Sequence, residues 1–519
     1  MGYFAAALVA AFALAVVCLQ PSYSAAAQIL FSALVTVVVS LRRTVAPYST
    51  TNTTLLDGRR RYVAGAQRPA RGPNVLLVLF DDLGLGDLGV FGSRAIRTPA
   101  LDALAAGGVA SREFYAGASV CSPSRACLLT GRQPPRTGVG GLVLFPAGSF
   151  VDYAFRLMGY ARGLLEDEIT VATALGAHGW RTICVGKWHV GGVAPHLPTD
   201  HGFHRFYGVL HSNDMAPFEL WRATAGGPWR LEAAEAPQER LTGLYTNESI
   251  AQIEAAVADG ARWFLYLAFN APHDPLHVRR ARAGRSRAGV YGDVVEEADE
   301  AVGTLTAALT RLRVARDTLV VATSDNGPWY EGATAGQRER KASAFDGGFR
   351  VPFIARWPAG GVGGRRRARW LRVPTHGADL MPTILAACGV PLPSDRVIDG
   401  QDVLDLWRKP PPRECRLRDA PTAACERALP LYVRNDLAAV RRGHLKLHLS
   451  HLVRPDELVR ARTLGSQAER RGWMWLTDLE VDPEEAYDAS EARLADAEAM
   501  ARAAADVGDA LAAHPRGAL

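Results

Sequence analysis

Four times along this chain a run of apolar residues stops at a cluster of polar ones. Asn74-Val75-Leu76-Leu77-Val78-Leu79-Phe80 ends at Asp81-Asp82, and Thr182-Ile183-Cys184-Val185 runs into Gly186-Lys187-Trp188-His189. Trp263-Phe264-Leu265-Tyr266-Leu267-Ala268-Phe269 ends at Asn270-Ala271-Pro272-His273, and Leu319-Val320-Val321-Ala322-Thr323 at Ser324-Asp325-Asn326-Gly327. Apolar runs without polar alternation are strands buried on both faces, as in a parallel sheet covered by helices. The stretches from Thr170 to Ala177 and from Val294 to Leu312 have helical spacing. Strands alternating with helices predict an α/β fold: a large, mostly parallel sheet flanked by helices. Ligands bind such sheets beyond the carboxyl ends of the strands, so the four polar exits are expected to converge on one edge.

Asp81, Asp82, Asp325 and Asn326 offer only hard oxygen donors, which suit Ca²⁺ or Mg²⁺ rather than zinc. A single Asp after a strand is ordinarily a turn residue or a helix cap. Two such pairs, each after a buried strand, favour a metal site, because neighbouring buried carboxylates repel unless a cation lies between them.

Cys121-Ser122-Pro123-Ser124-Arg125 forms a C-x-P-x-R pattern and continues as Ala126-Cys127-Leu128-Leu129-Thr130-Gly131-Arg132. Taken alone it reads equally as a buried cysteine opening a helix. With its context it resembles the signature of the sulfatase family, most closely the arylsulfatase A branch. Asp81-Asp82-Leu83-Gly84-Leu85-Gly86-Asp87-Leu88-Gly89 resembles the family's first metal motif, and Thr98-Pro99-Ala100-Leu101-Asp102 follows it. Further matches are Gly186 to Gly191, Gly202 to Gly208, Ser324 to Pro328, Gly347 to Pro352 and Leu476 to Pro483. The resemblance runs from about Pro73 to Tyr487.

It implies an alkaline phosphatase-like fold with a smaller C-terminal α+β subdomain carrying an antiparallel sheet. Cys121 would be oxidised to Cα-formylglycine by a formylglycine-generating enzyme and would bind Ca²⁺ (or Mg²⁺) together with Asp81, Asp82, Asp325 and Asn326. The hydrated aldehyde would supply the nucleophile, and its second hydroxyl would let the covalent sulfate be expelled again. Arg125, one helical turn on, would orient that group. Lys187 and Lys341 would clamp the sulfate, and Ser212 would lie beside it. His189 would act as base; His273 would contact substrate and, with Lys341, protonate the leaving oxygen. Cys127 would pack behind the site, and His196, His201 and His204 would be structural. The substrate would be a sulfated small molecule, sugar or lipid. A formylglycine-dependent phosphonate or phosphodiester hydrolase, and a silent membrane-attached binding protein of the same fold, are the competing readings.

Two departures stand out. Asp346 occupies a position where relatives usually carry Glu. The segment from Phe145 to Leu164, with Phe150, Tyr153, Phe155 and Tyr160, exceeds the usual connection and reads either as an aromatic rim or as a packed surface insertion.

The chain has 519 residues, 48% of them hydrophobic and 22% charged, which excludes a disordered chain. Its net charge of +6 comes with arginine clusters at Arg59-Arg60-Arg61 and Arg365-Arg366-Arg367, read as solvated loops. No basic stripe interleaved with aromatics is present, so no nucleic-acid partner is expected. Residues 1–43 contain apolar runs from Phe4 to Leu19 and Ile29 to Leu41, expected to be a signal peptide or a membrane anchor through residues 4–41. The expected location is therefore the secretory pathway: secreted, lysosomal or membrane-anchored. Asn52-Thr53-Thr54 and Asn247-Glu248-Ser249 are glycosylation sequons, and Cys415 and Cys425 are candidates for a disulfide. The expected division is 44–72 linker, 73–400 catalytic domain, and 401–519 C-terminal subdomain, with a terminal helix in the Ala-rich tail from Glu484 to Leu519.

Overall fold

The apolar runs form strands. In chain order, the strands of the larger sheet are β1 (Asn74–Phe80), β2 (Val109–Tyr115), β3 (Arg181–Lys187), β4 (Arg205–Val209), β5 (Leu220–Thr224), β6 (Arg230–Ala233), β7 (Trp263–Ala268), β8 (Thr318–Ser324), β9 (Arg350–Arg356), β10 (Arg369–Leu371) and β11 (Thr375–His376). Across the sheet they run β10-β2-β9-β8-β1-β7-β3-β4-β5-β6, with β11 also paired to β2. The computed structural model describes residues 50–67, 72–141, 143–157, 159–363, 368–410, 423–449, 474–513 and 515–516.

The four strands singled out by their apolar runs are parallel neighbours at the centre of the sheet. β1 pairs with β7 and β8, and β3 pairs with β7. Leu79 stands level with Ala268 and Thr323, so the polar exits after β1, β7 and β8 leave the sheet side by side. The pleat sends alternate residues of β1 into two cores. Val75, Leu77 and Leu79 pack with Leu128, Leu129, Leu175 and Ile384 on one face. Leu76, Val78 and Phe80 pack with Leu101, Leu104, Ile253 and Leu305 on the other. Each such buried side chain contributes about 1.5–3 kcal/mol relative to exposure.

A second sheet, β12 (Ala428–Val433), β13 (Asp436–Arg442), β14 (Leu445–His448) and β15 (Trp475–Asp478), is antiparallel and ordered β12-β13-β14-β15. The helix Leu494–Ala513 covers it through Ala497, Met500 and Ala504. Its other contacts reach the larger sheet through Leu429 and Leu431 against Tyr115 and Phe349.

Several expectations need correcting. Residues 53–64 of the expected linker are the helix Thr53–Ala64, capped by Asn52, whose Oδ1 accepts from Thr54 N–H at 2.9 Å. Arg59, expected in a solvated cluster, donates to the carbonyls of Glu166 and Asp200 and ties this helix to the sheet-bearing body. Its amphipathic signal was masked by a run of charged residues, of which only Arg59 turns inward. The helix expected from Val294 spans Gly289–Arg311, beginning across two glycines that hid its first turn. No helix among the described residues is long and apolar enough to cross a membrane. The apolar runs within residues 4–41 and the Arg365-Arg366-Arg367 cluster lie outside the described residues. Cys425 is disulfide-bonded, while Cys415 also lies outside them.

Candidate active site

Cys121 opens the helix Cys121–Thr130, with Val120 as its extended N-cap. Pro123 fits there because the first-turn N–H groups of a helix have no intrahelical acceptor. Cys121 is buried, and its Sγ lies 3.5 Å from Asp81 Oδ1. Burial pushes its thiol well above the usual range, so an unmodified Cys121 is a neutral thiol rather than a nucleophilic thiolate. Cys127, on the same helix, packs behind the site against Gly117.

The exits of β1 and β8 interlock. Asp82 N–H donates to Asp325 Oδ1 at 3.2 Å and Leu83 N–H to Ser324 Oγ at 2.9 Å. Asp82 adopts a left-handed φ of 65°, and His189 one of 58°. A non-glycine residue in this region costs about 1–3 kcal/mol and is held there only by its surroundings. Asn326 Nδ2 donates to Asp82 Oδ1 at 2.7 Å, while its own Oδ1 is buried and has no hydrogen-bond partner.

Three cations and a histidine surround these acids. Arg125 donates from Nε and Nη2 to Asp325 Oδ2 and from Nη1 to the Lys187 carbonyl. Lys187 Nζ lies 2.5 Å from Asp81 Oδ2 and 3.0 Å from Ser212 Oγ. Lys341 Nζ lies 2.8 Å from Asp82 Oδ2, and His273 Nε2 is 3.6 Å from the same oxygen. Burial opposes ionisation of Asp81, but Lys187, His273 and Arg125 overcome it and hold that carboxyl well below the usual range. Burial and the charge of Asp81 push Asp325 up to about 7. The carboxylates thus repel more than the protein's own cations neutralise. A further cation among them would remove that conflict and give Asn326 Oδ1 a partner, so the residues present fit a hard divalent ion. Asp81, Asp82, Cys121 and His273 bring ligand atoms within 4.8 Å of one another. The sequence did not nominate His273 for this cluster; the carboxyl end of β7 brings it there.

Further contacts of these cations bear on two expected roles. Arg125 engages Asp325 and the Lys187 carbonyl, so it fixes the acids as much as the residue at 121. The two lysines expected at a sulfate are paired with Asp81 and Asp82. An ammonium has three donors, which leaves Lys187 one N–H and Lys341 two for an incoming anion.

His189 Nε2 bonds the Leu144 carbonyl at 2.9 Å, while Nδ1 is buried without a partner. The carbonyl can only accept, so Nε2 carries the proton and Nδ1 presents a free lone pair. Burial, with Lys187 and Arg125 nearby, holds His189 well below its usual range. His211 stands edge-on to His189 with ring centroids 6.4 Å apart. Its one signal was its place next to Ser212. His196 and His201 both bond the Leu164 carbonyl, and His204 bonds Thr182, as structural histidines do.

The long connection is partly packed and partly exposed. It forms the helix Phe150–Leu157, on which Phe150 and Tyr153 are exposed while Phe155 packs between Phe145 and Tyr160. Asp346 lies away from the acids, bonded to Tyr115, Arg350 and Lys446 of the second sheet.

The chain matches the family model described as Sulfatase over residues 73–390. It is 35% identical over 405 residues to N-acetylgalactosamine-6-sulfatase from Sus scrofa, covering 74% of this chain and 73% of that one. It is 38% identical over 371 residues to arylsulfatase A from Homo sapiens, covering 65% and 68%. The crystal structure of PsFucS1 sulfatase from Pseudoalteromonas sp. superposes with a TM-score of 0.70 at 24% identity, over 90% of this chain and 94% of that one.

Proposed function

The chain belongs to the sulfatase family and is a sulfuric ester hydrolase, and from that premise we propose that it cleaves sulfate monoesters, arylsulfatase-fashion, at the edge where Cys121 meets Asp81, Asp82, Asp325 and Asn326. The observation that carries this reading is the orphaned Asn326 Oδ1 among mutually repelling buried carboxylates, beside a thiol that burial keeps neutral. Asp81, Asp82, Asp325, Asn326 and residue 121 hold Ca²⁺, or Mg²⁺, which when bound supplies positive charge that favours an ionised nucleophile and a bound sulfate. Residue 121, as formylglycine hydrated by one water to the geminal diol, supplies the attacking hydroxyl.

The remaining roles belong to side chains of the site. Arg125 fixes Asp325 and, through the Lys187 carbonyl, the end of β3. Lys187, Lys341 and Ser212 hold sulfate oxygens, and a buried site without competing water strengthens those bonds. His189 Nδ1 receives a proton from residue 121 when sulfate leaves. His273 and Lys341 stand on the opposite side and give a proton to the leaving alcohol.

Maturation requires a formylglycine-generating enzyme, which fits entry into the secretory pathway through residues 1–43. Residues 73–400 act as the catalytic domain and 401–519 as the C-terminal subdomain. Protein made in a host that contains the maturing enzyme should hydrolyse an aryl sulfate, lose that activity to a chelator and regain it with Ca²⁺. Faster turnover of an aryl phosphodiester would favour the phosphonate and phosphodiester class instead. An unmodified Cys121 with no turnover would favour a silent binding protein.

A further inference from the structure

Directly after His273, residues 276–288 hold five arginines and no carboxylate. Two of the five are neutralised by the helix that follows: Arg279 pairs with Glu297 and Glu300, and Arg282 with Glu300. Arg280, Arg285 and Arg287 are exposed and meet no carboxylate among the described residues. The loop is nevertheless fixed. Asp293, 2% exposed, accepts from the backbone N–H groups of Gly284, Arg285 and Ser286 at 2.6, 2.8 and 2.7 Å.

Both ends of the loop are tied to the site. At its start, Asn213 Nδ2, next to Ser212, donates to the Pro275 carbonyl at 3.1 Å. At its end, Tyr291 donates to Asp87 Oδ2 at 2.6 Å and lies against Gly332. Just before Gly332, Trp329 and Tyr330 are 41% and 54% exposed, with rings 4.8 Å apart, edge to face. Arg340, the neighbour of Lys341, lies 6.0 Å from the Tyr330 ring. The rim beside His273 and Lys341 therefore combines unneutralised arginines with exposed aromatic faces.

A small monoester carries one sulfate, and the buried lysines already address it. The outer arginines have nothing on such a substrate to meet, although clustered like charge repels itself and draws anions from solution. A chain bearing several sulfates supplies the missing charges, and its sugar rings offer flat faces to Trp329 and Tyr330. We propose that this rim docks a polyanionic sulfated polysaccharide, with Arg280, Arg285 and Arg287 meeting sulfates that flank the one entering the site. The inference rests on the sulfate-ester reading above. A polysaccharide is favoured over other polyanions because it brings the reacting group with it.

Dextran sulfate is the probe, set against para-nitrophenyl sulfate turnover by the full, matured chain. Dextran sulfate should inhibit competitively at low salt, less so at high salt, where the charges are screened, and neutral dextran should not inhibit. Combining Arg280→Ser, Arg285→Ser and Arg287→Ser should raise the inhibition constant about tenfold and leave para-nitrophenyl sulfate turnover unchanged. Equal inhibition of both proteins, non-competitive inhibition, or tighter binding of duplex DNA or phosphatidylserine vesicles than of dextran sulfate would overturn the proposal. Turnover indifferent to dextran sulfate overturns this inference alone; no turnover at all overturns the sulfate-ester reading with it.

Discussion

Arg125 holds Asp325 by a single carboxylate oxygen: Nε lies 2.9 Å and Nη2 2.8 Å from Oδ2, and neither side chain is exposed. The other oxygen, Oδ1, accepts from the N–H of Asp82. One oxygen thus answers a fixed protein cation while the other faces the second acid of the site.

Breaking this pair leaves buried Arg125 facing only Asp81, at 3.5 Å, which costs up to about 3–5 kcal/mol. Asp325→Asn is therefore expected to lower the unfolding free energy by that amount and to abolish turnover. Denaturant melts and an aryl sulfate assay check both. A variant as stable as the parent would show that Arg125 finds another partner.

The same carboxyl sets a pH dependence for cation binding. Asp325 is raised from 3.8 to about 7 while only its neighbours face it. A divalent ion must displace that proton, so its affinity should increase as pH rises through about 7 and fall below it. The gain in Tm from saturating Ca²⁺, against a chelator, should accordingly be larger at about pH 8 than at about pH 5. A gain that shrinks with rising pH would remove Asp325 from the cation site.

His189 is neutral and its Nδ1 free, so it is poised to accept a proton. Replacing it with Gln should lower kcat by about 10²–10⁴-fold. The loss should fall on sulfate release, seen as a burst of alcohol before slow turnover. Because His189 is held well below 6.5, the parent should also keep activity on the acid side of that value. A uniform slowing without a burst would place His189 at another step.

Lys446 bonds Asp346 Oδ1 at 2.8 Å and Glu485 Oε2 at 3.0 Å, all three side chains fully buried. Glu485 also accepts from the Asp346 N–H and, through its carbonyl, from Arg338. These contacts clamp both ends of the loop that bears Lys341. Lys446→Met should cost about 3–5 kcal/mol and lower kcat on an aryl sulfate. Unchanged kcat in the folded variant would show that Lys341 is positioned without the second sheet.

The central sheet was legible because β1, β7 and β8 are buried on both faces, so their sequences carry no polar interruption to confuse the period. The candidate site was legible for the same reason: its acids and its amide stand where those runs end. What was not legible depends on contacts distant in sequence. Nothing in the sequence marks the Leu144 carbonyl as the group that sets the His189 tautomer, since any residue carries a carbonyl. The helix Thr53–Ala64 was hidden because its stability comes from Arg59 reaching carbonyls 107 and 141 residues away. Asp346 was noticed as a departure, but its partners Lys446 and Glu485 come from the second sheet and the segment beyond it, which local pattern cannot pair.

On the function proposed above, residue 121 works as formylglycine within this acid cluster. The mass of the tryptic peptide from Glu113 to Arg125, from protein made alongside a formylglycine-generating enzyme, tests it directly. Formylglycine is expected in place of Cys121 in the folded, active protein. An unmodified cysteine there, in protein that still hydrolyses sulfate esters, would contradict it.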